Sequence, residues 1–92
     1  MTLRHNNKKA FITGAGSGIG RETAITLARE GAYVLVTDVD LEAAAKTVTL
    51  IEEAGGVALA AKVDVRVRDD IKAAAHKAMQ AWGALHLLVN NA

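Results

Sequence analysis

The sequence predicts an α/β fold in which helices cover a parallel sheet, and three observations support this prediction. Short apolar runs alternate with segments of helical periodicity along the 92 residues. Those runs are apolar at nearly every position, as strands buried on both faces are. Glycines separate the segments, and no proline interrupts them. Right-handed crossovers then predict a doubly wound sheet, β-α-β-α-β-α-β, with strand order 3-2-1-4.

Four apolar runs are the predicted strands. Each is short, rich in Val, Leu, Ile or Ala, and bounded by polar residues or glycine, which is typical of a buried strand. In chain order they are Lys9–Thr13, Ala32–Asp38, Val57–Val63 and Leu85–Val89.

Three intervening segments carry apolar residues at helical spacing. The first helix is expected from about Gly18 to Glu30, with Gly31 as a left-handed cap. Asp40 is placed to cap the second helix, and Gly83 ends the third. The predicted buried faces are Ile19, Thr23, Leu27 and Ala28 in the first, Leu41, Ala44, Ala45, Val48 and Ile51 in the second, and Ile71, Ala74, Ala75, Ala78, Met79 and Trp82 in the third.

Composition and charge exclude several classes of protein. With 11 basic and 10 acidic residues, the formal charge of +1 gives no footprint for nucleic acid or an anionic membrane. There is no cysteine, and no apolar run approaches the roughly 18 residues of a membrane span. His5 and His76 lack partners at metal-ligand spacing. We therefore expect one cytoplasmic domain over residues 1–92, with a flexible N-terminus at 1–7 and no metal, nucleic-acid or membrane partner.

Four alternating glycines in the stretch TGAGSGIG lie between the first predicted strand and the first predicted helix. A helix N-terminus offers unpaired N–H groups and a positive dipole end, which together suit an anion. A turn without Cβ atoms also lets phosphates approach the backbone closely. A tight turn with no ligand is the alternative, but four glycines at this place favour a nucleotide site.

The glycine spacing discriminates between classes of nucleotide-binding turn. The P-loop and the common G-x-G-x-x-G pattern both require glycine at Ile19 or Arg21, so both fail. The G-x-G-x-G spacing of many methyltransferases that bind S-adenosylmethionine does match. Those enzymes usually carry an acid two positions before the first glycine, where this chain has Ile12.

The turn Thr13–Gly20 fits the pattern T-G-x-x-x-G-x-G in full, and there the sequence resembles the N-terminal half of a short-chain dehydrogenase/reductase. The "DV" of Asp64–Val65 and the "NNA" of Asn90–Ala92 match the next two motifs of that family in order and spacing. The resemblance covers residues 8–92. It implies a Rossmann-like fold, a dinucleotide cofactor, and hydride transfer between NAD(H) and an alcohol or carbonyl.

Asp38 bears on the choice of cofactor. It lies about 18 residues after Gly20, near the spacing expected for the acid that binds an adenosine ribose. A 2′-phosphate at that place would meet like charge, and Ser17 lacks the positive charge that NADP-preferring members often have in the turn. We therefore expect NAD rather than NADP. Capping of the next helix is the alternative role for Asp38, although Asp40 is better placed for it.

The remaining site residues follow from the resemblance. It implies that Asp64 accepts from the adenine amino group, while a simple turn residue is the alternative. Arg66 departs from the family's usual Ser or Thr, so Asp69 or Asp70 is expected to cap the third helix. The full set of predicted cofactor-binding residues is Gly14, Gly16, Ser17, Gly18, Ile19, Gly20, Asp38, Val39, Asp64, Val65, Asn90, Asn91 and Ala92.

The catalytic residues of that family are absent from the 92 residues. The single tyrosine, Tyr33, is followed four positions later by Thr37 rather than Lys, so the Y-x-x-x-K motif is missing. We therefore assign no catalytic residue and predict cofactor binding without turnover. A truncated interaction module that pairs through the open edge of the fourth strand is the alternative, and an S-adenosylmethionine half-domain is a less favoured one.

Overall fold

The structure is a computed structural model, and it describes residues 7–91. Its parallel sheet has the strand order β3-β2-β1-β4, which confirms the predicted order 3-2-1-4. Residues 1–6 of the predicted flexible N-terminus, and Ala92, lie outside the described residues. The elements are β1 Lys9–Thr13, α1 Gly18–Arg29, β2 Tyr33–Asp38, α2 Leu41–Glu53, β3 Val57–Lys62, α3 Arg68–Trp82 and β4 Leu87–Asn90.

Strands β1 and β2 form the buried centre of the sheet. In β1, Ile12 is fully buried on one face and Phe11 is nearly so on the other. Helices α1 and α2 cover the Ile12 face, and α3 covers the Phe11 face together with Leu35 of β2. Two separate apolar cores therefore hold the central strands between helical layers, as the continuous apolar runs predict.

The buried face of α1 differs from the prediction. Ile19 is 79% exposed, so its placement on the buried face was wrong. The buried residues are Gly20, Ala24 and Ala28, of which Ala28 was predicted, and Thr23 and Leu27 are half-buried. A Cβ atom on Gly20 would lie 2.0 Å from the carbonyl oxygen of Gly14, so this face of α1 is turned onto the glycine turn. Ile19, one residue earlier, consequently points to solvent.

The predicted stripes on α2 and α3 were too wide. Leu41 and Ala45 of α2 are exposed, and so is Met79 of α3, at 47%. The buried positions of α2 include Thr47, which the apolar pattern passed over because of its hydroxyl group. Helices that rest on a sheet through small residues bury a narrow stripe, so side chains at the margin stay in water.

The helix ends follow the predicted signals except at the N-terminus of α3. Asp40 caps α2 by accepting from the amide of Ala43 at 3.2 Å. Gly83 ends α3 with a φ of 76°. The expected cap of α3 by Asp69 or Asp70 was wrong, because the N-cap position is Val67 and no side chain caps it. The carboxylate of Asp70 accepts from the backbone amide of Asp64 instead, at 3.1 Å.

Candidate functional site

The predicted site residues gather along one edge of the sheet. The glycine turn follows β1, Asp38 ends β2, Asp64 follows β3 by two residues, and Asn90 ends β4. Because all four strands are parallel, their carboxyl ends meet at the same edge, which is where open α/β sheets bind ligands. Of the predicted set, only Ala92 lies outside the described residues.

Close packing and backbone conformation explain why the turn contains glycines. A Cβ atom on Gly16 would lie 2.7 Å from the Cβ of Ala43 and 2.8 Å from the Oδ2 of Asp38. Gly14 and Gly18 have positive φ values of 61° and 55°, a conformation that glycine adopts without strain. The turn therefore lies against both β2 and α2, and it has no room for larger residues at its centre.

The start of α1 presents the features of an anion site. Ser17 is the N-cap residue in extended conformation, and its side chain makes no capping hydrogen bond. The helical hydrogen-bond pattern starts at Arg21, whose amide donates to the carbonyl of the N-cap residue Ser17 at 3.2 Å. The amides before it belong to the unpaired first turn, and Gly18 and Ile19 are exposed. These donors can receive a phosphate.

The carboxylate of Asp38 is hydrogen-bonded to the glycine turn. Its Oδ2 accepts from the Gly16 amide at 2.9 Å, and its Oδ1 accepts from the Asp40 amide at 3.0 Å. The cap of α2 comes from Asp40, so the alternative role of Asp38 as that cap does not hold. A carboxylate has about four acceptor positions, so two remain for ligand hydroxyls.

The carboxylate of Asp64 forms a salt bridge with Arg66. This pairing was not predicted from the sequence. The Nε and Nη2 atoms of Arg66 donate to the two carboxylate oxygens at 3.0 and 2.9 Å, and its backbone amide adds a bond of 2.9 Å. These hydrogen bonds to Arg66 lower the pKa of Asp64 from 3.8 to about 2, and the same contact raises the pKa of Arg66. Asp64 therefore stays an acceptor-only carboxylate near neutral pH.

The asparagines connect the carboxyl end of β4 to that of β1. The Thr13 hydroxyl donates to the Asn90 side-chain oxygen at 2.8 Å and accepts from the Asn91 amide at 3.1 Å. These contacts bridge the end of β1 to the end of β4. They fix the edge of the sheet next to the glycine turn.

Two residues that hydrogen-bond to the glycine turn were not predicted from the sequence. Arg21 donates through Nε to the Thr47 hydroxyl at 2.9 Å and through Nη2 to the carbonyl of Gly16. Thr47 itself donates to the carbonyl of Ala15 at 2.8 Å. The one available signal was a threonine on the buried stripe of an otherwise alanine-rich helix.

Residues 7–91 contain neither a candidate metal site nor a candidate membrane span. No group of three or more His, Asp or Glu side chains there could hold a metal ion. Over the same residues, no helix combines the length and apolarity needed to cross a membrane.

Known proteins resemble this chain over nearly its whole length. Residues 8–92 match the short chain dehydrogenase family. A cyclohexanol dehydrogenase of Acinetobacter sp. (strain SE19) is 51% identical over all 92 residues. A 7α-hydroxysteroid dehydrogenase of Escherichia coli K12 is 44% identical over 90 residues.

Solved structures match the fold at similar identity. The structure of a hydroxysteroid dehydrogenase from Escherichia coli superposes with a TM-score of 0.93 and 43% identity, over 97% of this chain and 38% of that one. A 7α-hydroxysteroid dehydrogenase complexed with NADH and 7-oxo glycochenodeoxycholic acid gives 0.92 and 43%, over 97% and 35%.

The matched length is unequal on the two sides. The chain spans 37% of the cyclohexanol dehydrogenase and 35% of the 7α-hydroxysteroid dehydrogenase. The family match nevertheless extends over the glycine turn, Asp38, Asp64 and the asparagines, which lie along one edge of the sheet. The chain therefore belongs to the short-chain dehydrogenase family.

Proposed function

We propose that this chain is the NAD-binding portion of a dehydrogenase that moves a hydride between NAD(H) and an alcohol or carbonyl. The observation that carries the proposal is the bond between the Gly16 amide and the Asp38 carboxylate. It joins a phosphate-binding turn to an acid suited to ribose hydroxyls. The names of the relatives, dehydrogenases of an alcohol and of hydroxysteroids, support the reaction class.

Each part of the dinucleotide has candidate partners along the site edge. The amides of the exposed residues Ser17, Gly18 and Ile19, together with that of Gly20, would bind the pyrophosphate. Asp38 would accept from the adenosine ribose hydroxyls, and Asp64 from the adenine amino group.

Apolar surface and strand ends would complete the pocket. Val39 and Val65 are 60% and 37% exposed, and would contact the adenine ring. Asn90 and Asn91, together with Ala92, would border the cofactor beside the turn. When bound, NAD supplies the hydride acceptor of the reaction, and the protein groups named here supply its binding and orientation.

Electrostatics favour NAD over NADP in this proposal. The Asp38 carboxylate would stand beside a 2′-phosphate, and repulsion of like charges disfavours that pairing. A hydrogen bond from a ribose hydroxyl to a carboxylate is favourable by about 1.5–3 kcal/mol. Ser17 brings no positive charge to the turn that could offset the repulsion.

We further propose that the chain binds the cofactor without turnover. Its only tyrosine, Tyr33, lies at the amino end of β2, whereas the site lies at the carboxyl ends of the strands. The Tyr33 ring packs edge-on against the ring of Trp82, with 5.6 Å between the ring centroids. No tyrosine of the chain can therefore act as an acid or base at the cofactor edge.

Calorimetric titration of the chain with NAD, NADP and S-adenosylmethionine tests the ligand proposal. NAD is expected to bind most tightly, and S-adenosylmethionine is expected not to bind. Preference for S-adenosylmethionine would establish the methyltransferase-like alternative. Incubation with NAD and a panel of alcohols completes the experiment, because steady NADH production would contradict binding without turnover.

Self-association through β4 is a second candidate property. Within residues 7–91, β4 pairs only with β1, and Leu88 on it is 69% exposed. A strand edge of this kind can pair with another chain. Native mass spectrometry at increasing protein concentration tests this, and a species that stays monomeric would contradict it.

A further inference from the structure

We propose that Arg21 and Thr47 are positioning residues, here called the turn clamp, that hold the glycine turn at a fixed distance from Asp38. The inference deepens the proposed NAD site and rests on it for its ligand. Neither residue is among those expected to touch the cofactor. Both act through the backbone carbonyls of Ala15 and Gly16.

The clamp joins α1, α2 and the turn through a continuous chain of hydrogen bonds. The Thr47 side chain is fully buried, and its hydroxyl donates to the Ala15 carbonyl at 2.8 Å while it accepts from the Nε of Arg21 at 2.9 Å. The Nη2 of Arg21 reaches the Gly16 carbonyl, and the Ala43 carbonyl at 3.5 Å. One guanidinium therefore spans the turn and α2.

The clamp completes the hydrogen bonding of the turn on its inner side. The Ala15 amide donates to the Thr37 carbonyl at 2.9 Å, and the Gly16 amide donates to Asp38. With both carbonyls held by Arg21 and Thr47, all four backbone polar groups of these two residues have protein partners. None of these hydrogen bonds uses the amides of Ser17, Gly18 and Ile19, which the proposed function assigns to the pyrophosphate.

This arrangement links the two ends of the ribose–pyrophosphate unit. The turn amides and the Asp38 carboxylate must stand at a separation that the ribose–pyrophosphate unit can bridge, and small misplacements of binding groups are costly. Arg21 is suited to this because its planar fork serves several acceptors at once, whereas a lysine presents a single point charge.

The test uses four variants of the clamp and two matched controls. Arg21→Met and Thr47→Val remove the donors, Arg21→Lys keeps the charge without the fork, and Thr47→Ser keeps the hydroxyl. Thr49→Val is the control for Thr47, because Thr49 makes the same type of bond, to the Ala45 carbonyl, on the exposed side of α2. Arg29→Met is the control for Arg21, at the far end of α1.

Amide hydrogen exchange of the free chain is the first measurement, since it does not depend on the ligand. We expect the amides of Ala15 and Gly16 to exchange about tenfold faster in Arg21→Met and Thr47→Val, as loss of about one hydrogen bond implies. Thr47→Ser and the controls Thr49→Val and Arg29→Met are expected to match the wild type. Unchanged exchange in both donor-removing variants would overturn the inference.

Titration with NAD is the second measurement. Affinity is expected to fall about tenfold in Arg21→Met, Arg21→Lys and Thr47→Val, and to recover in Thr47→Ser. Full affinity in Arg21→Lys would show that charge alone acts and would overturn positioning by the fork. A loss in Thr49→Val equal to that in Thr47→Val would also overturn it. If the wild-type chain binds no NAD, the proposed function fails, and the exchange data alone decide on the clamp.

Discussion

Asp38 connects the glycine turn to the start of α2, since its carboxylate accepts from the Gly16 amide and from the Asp40 amide. Its position at the end of β2 was predicted from spacing, but its bond to the turn was not. That bond depends on how closely β1 and β2 bring the two segments together. The charge of Asp38 and its acceptor geometry can be separated by substitution.

Asp38→Asn is expected to weaken NAD binding about tenfold and to reduce the preference for NAD over NADP. The amide oxygen can still accept from Gly16, but the negative charge that favours ribose hydroxyls and opposes a 2′-phosphate is gone. Titration with both cofactors measures the effect, with Asp69→Asn in α3 as a matched control. Unchanged affinities for both would remove Asp38 from the site.

The pair of Asp64 and Arg66 makes a prediction about pH. Because the pKa of folded Asp64 is lowered to about 2, the pair favours the folded state above about pH 4 and loses that contribution as the pH falls through 2. The Arg66 side chain is 86% exposed, so salt screens the effect. Carboxyl NMR titration should give a midpoint near 2 for Asp64, rising toward its ordinary value in Arg66→Met. A midpoint unchanged by that substitution would contradict the pairing.

At the scale of elements, α2 joins the fold to the site. It packs on the sheet through Ile51, which is 1% exposed, and its Thr47 reaches the glycine turn. Its first residues follow Asp38 closely along the chain, and Ala43 lies against Gly16. The position of α2 therefore affects both stability and the shape of the cofactor edge.

Ile51→Ala is expected to lower the free energy of unfolding by about 2–5 kcal/mol, because it leaves a cavity between α2 and the sheet. Leu50→Ala, at the neighbouring and 37% exposed position, is expected to cost much less. Urea denaturation of the two variants measures the difference. Equal losses would contradict the packing described for α2.

Gly16→Ala tests the contact between α2 and the turn. The added methyl group would overlap the Cβ of Ala43 and the carboxylate of Asp38, so a loss of about 1–3 kcal/mol in stability is expected. Ser17→Ala, at the exposed next position, serves as the control. If the thermal midpoint of Gly16→Ala equalled that of the wild type, the turn would have room for a methyl group, which would contradict the close packing seen in the structure.

The sequence was sufficient for the elements because their signals are local. Apolar runs, glycine at helix ends and the Asp40 cap depend on neighbouring residues alone. The helix faces were predicted less well, since exposure of Ile19 and burial of Thr47 depend on what lies against each helix. The contact of Arg21 with Thr47 could not be predicted, because the fold alone brings these two residues together. Asp64 lies only two residues from Arg66, but their pairing depends on the conformation of a long, exposed side chain, which the sequence does not specify.

At the scale of the molecule, the sheet has one edge at β4 with exposed Leu88. Leu88→Lys is expected to lower any concentration-dependent association, because a charge on an edge strand opposes strand pairing. Sedimentation velocity over a range of concentrations measures it, with Leu50→Lys on exposed α2 surface as the control. Equal association in the wild type and in Leu88→Lys would contradict pairing through β4.

In the proposed function, NAD binds at the carboxyl ends of the strands, through the glycine turn, Asp38 and Asp64. Titration of the ¹⁵N-labelled chain with NAD, followed by amide NMR, tests it most directly. We expect the largest chemical-shift changes at the amides of Gly14–Gly20, Val39 and Val65. Little change is expected at Gly31 and Gly55, which precede β2 and β3 at the amino ends of the strands. Changes concentrated at those amino ends, or none at saturating NAD, would contradict the proposed site.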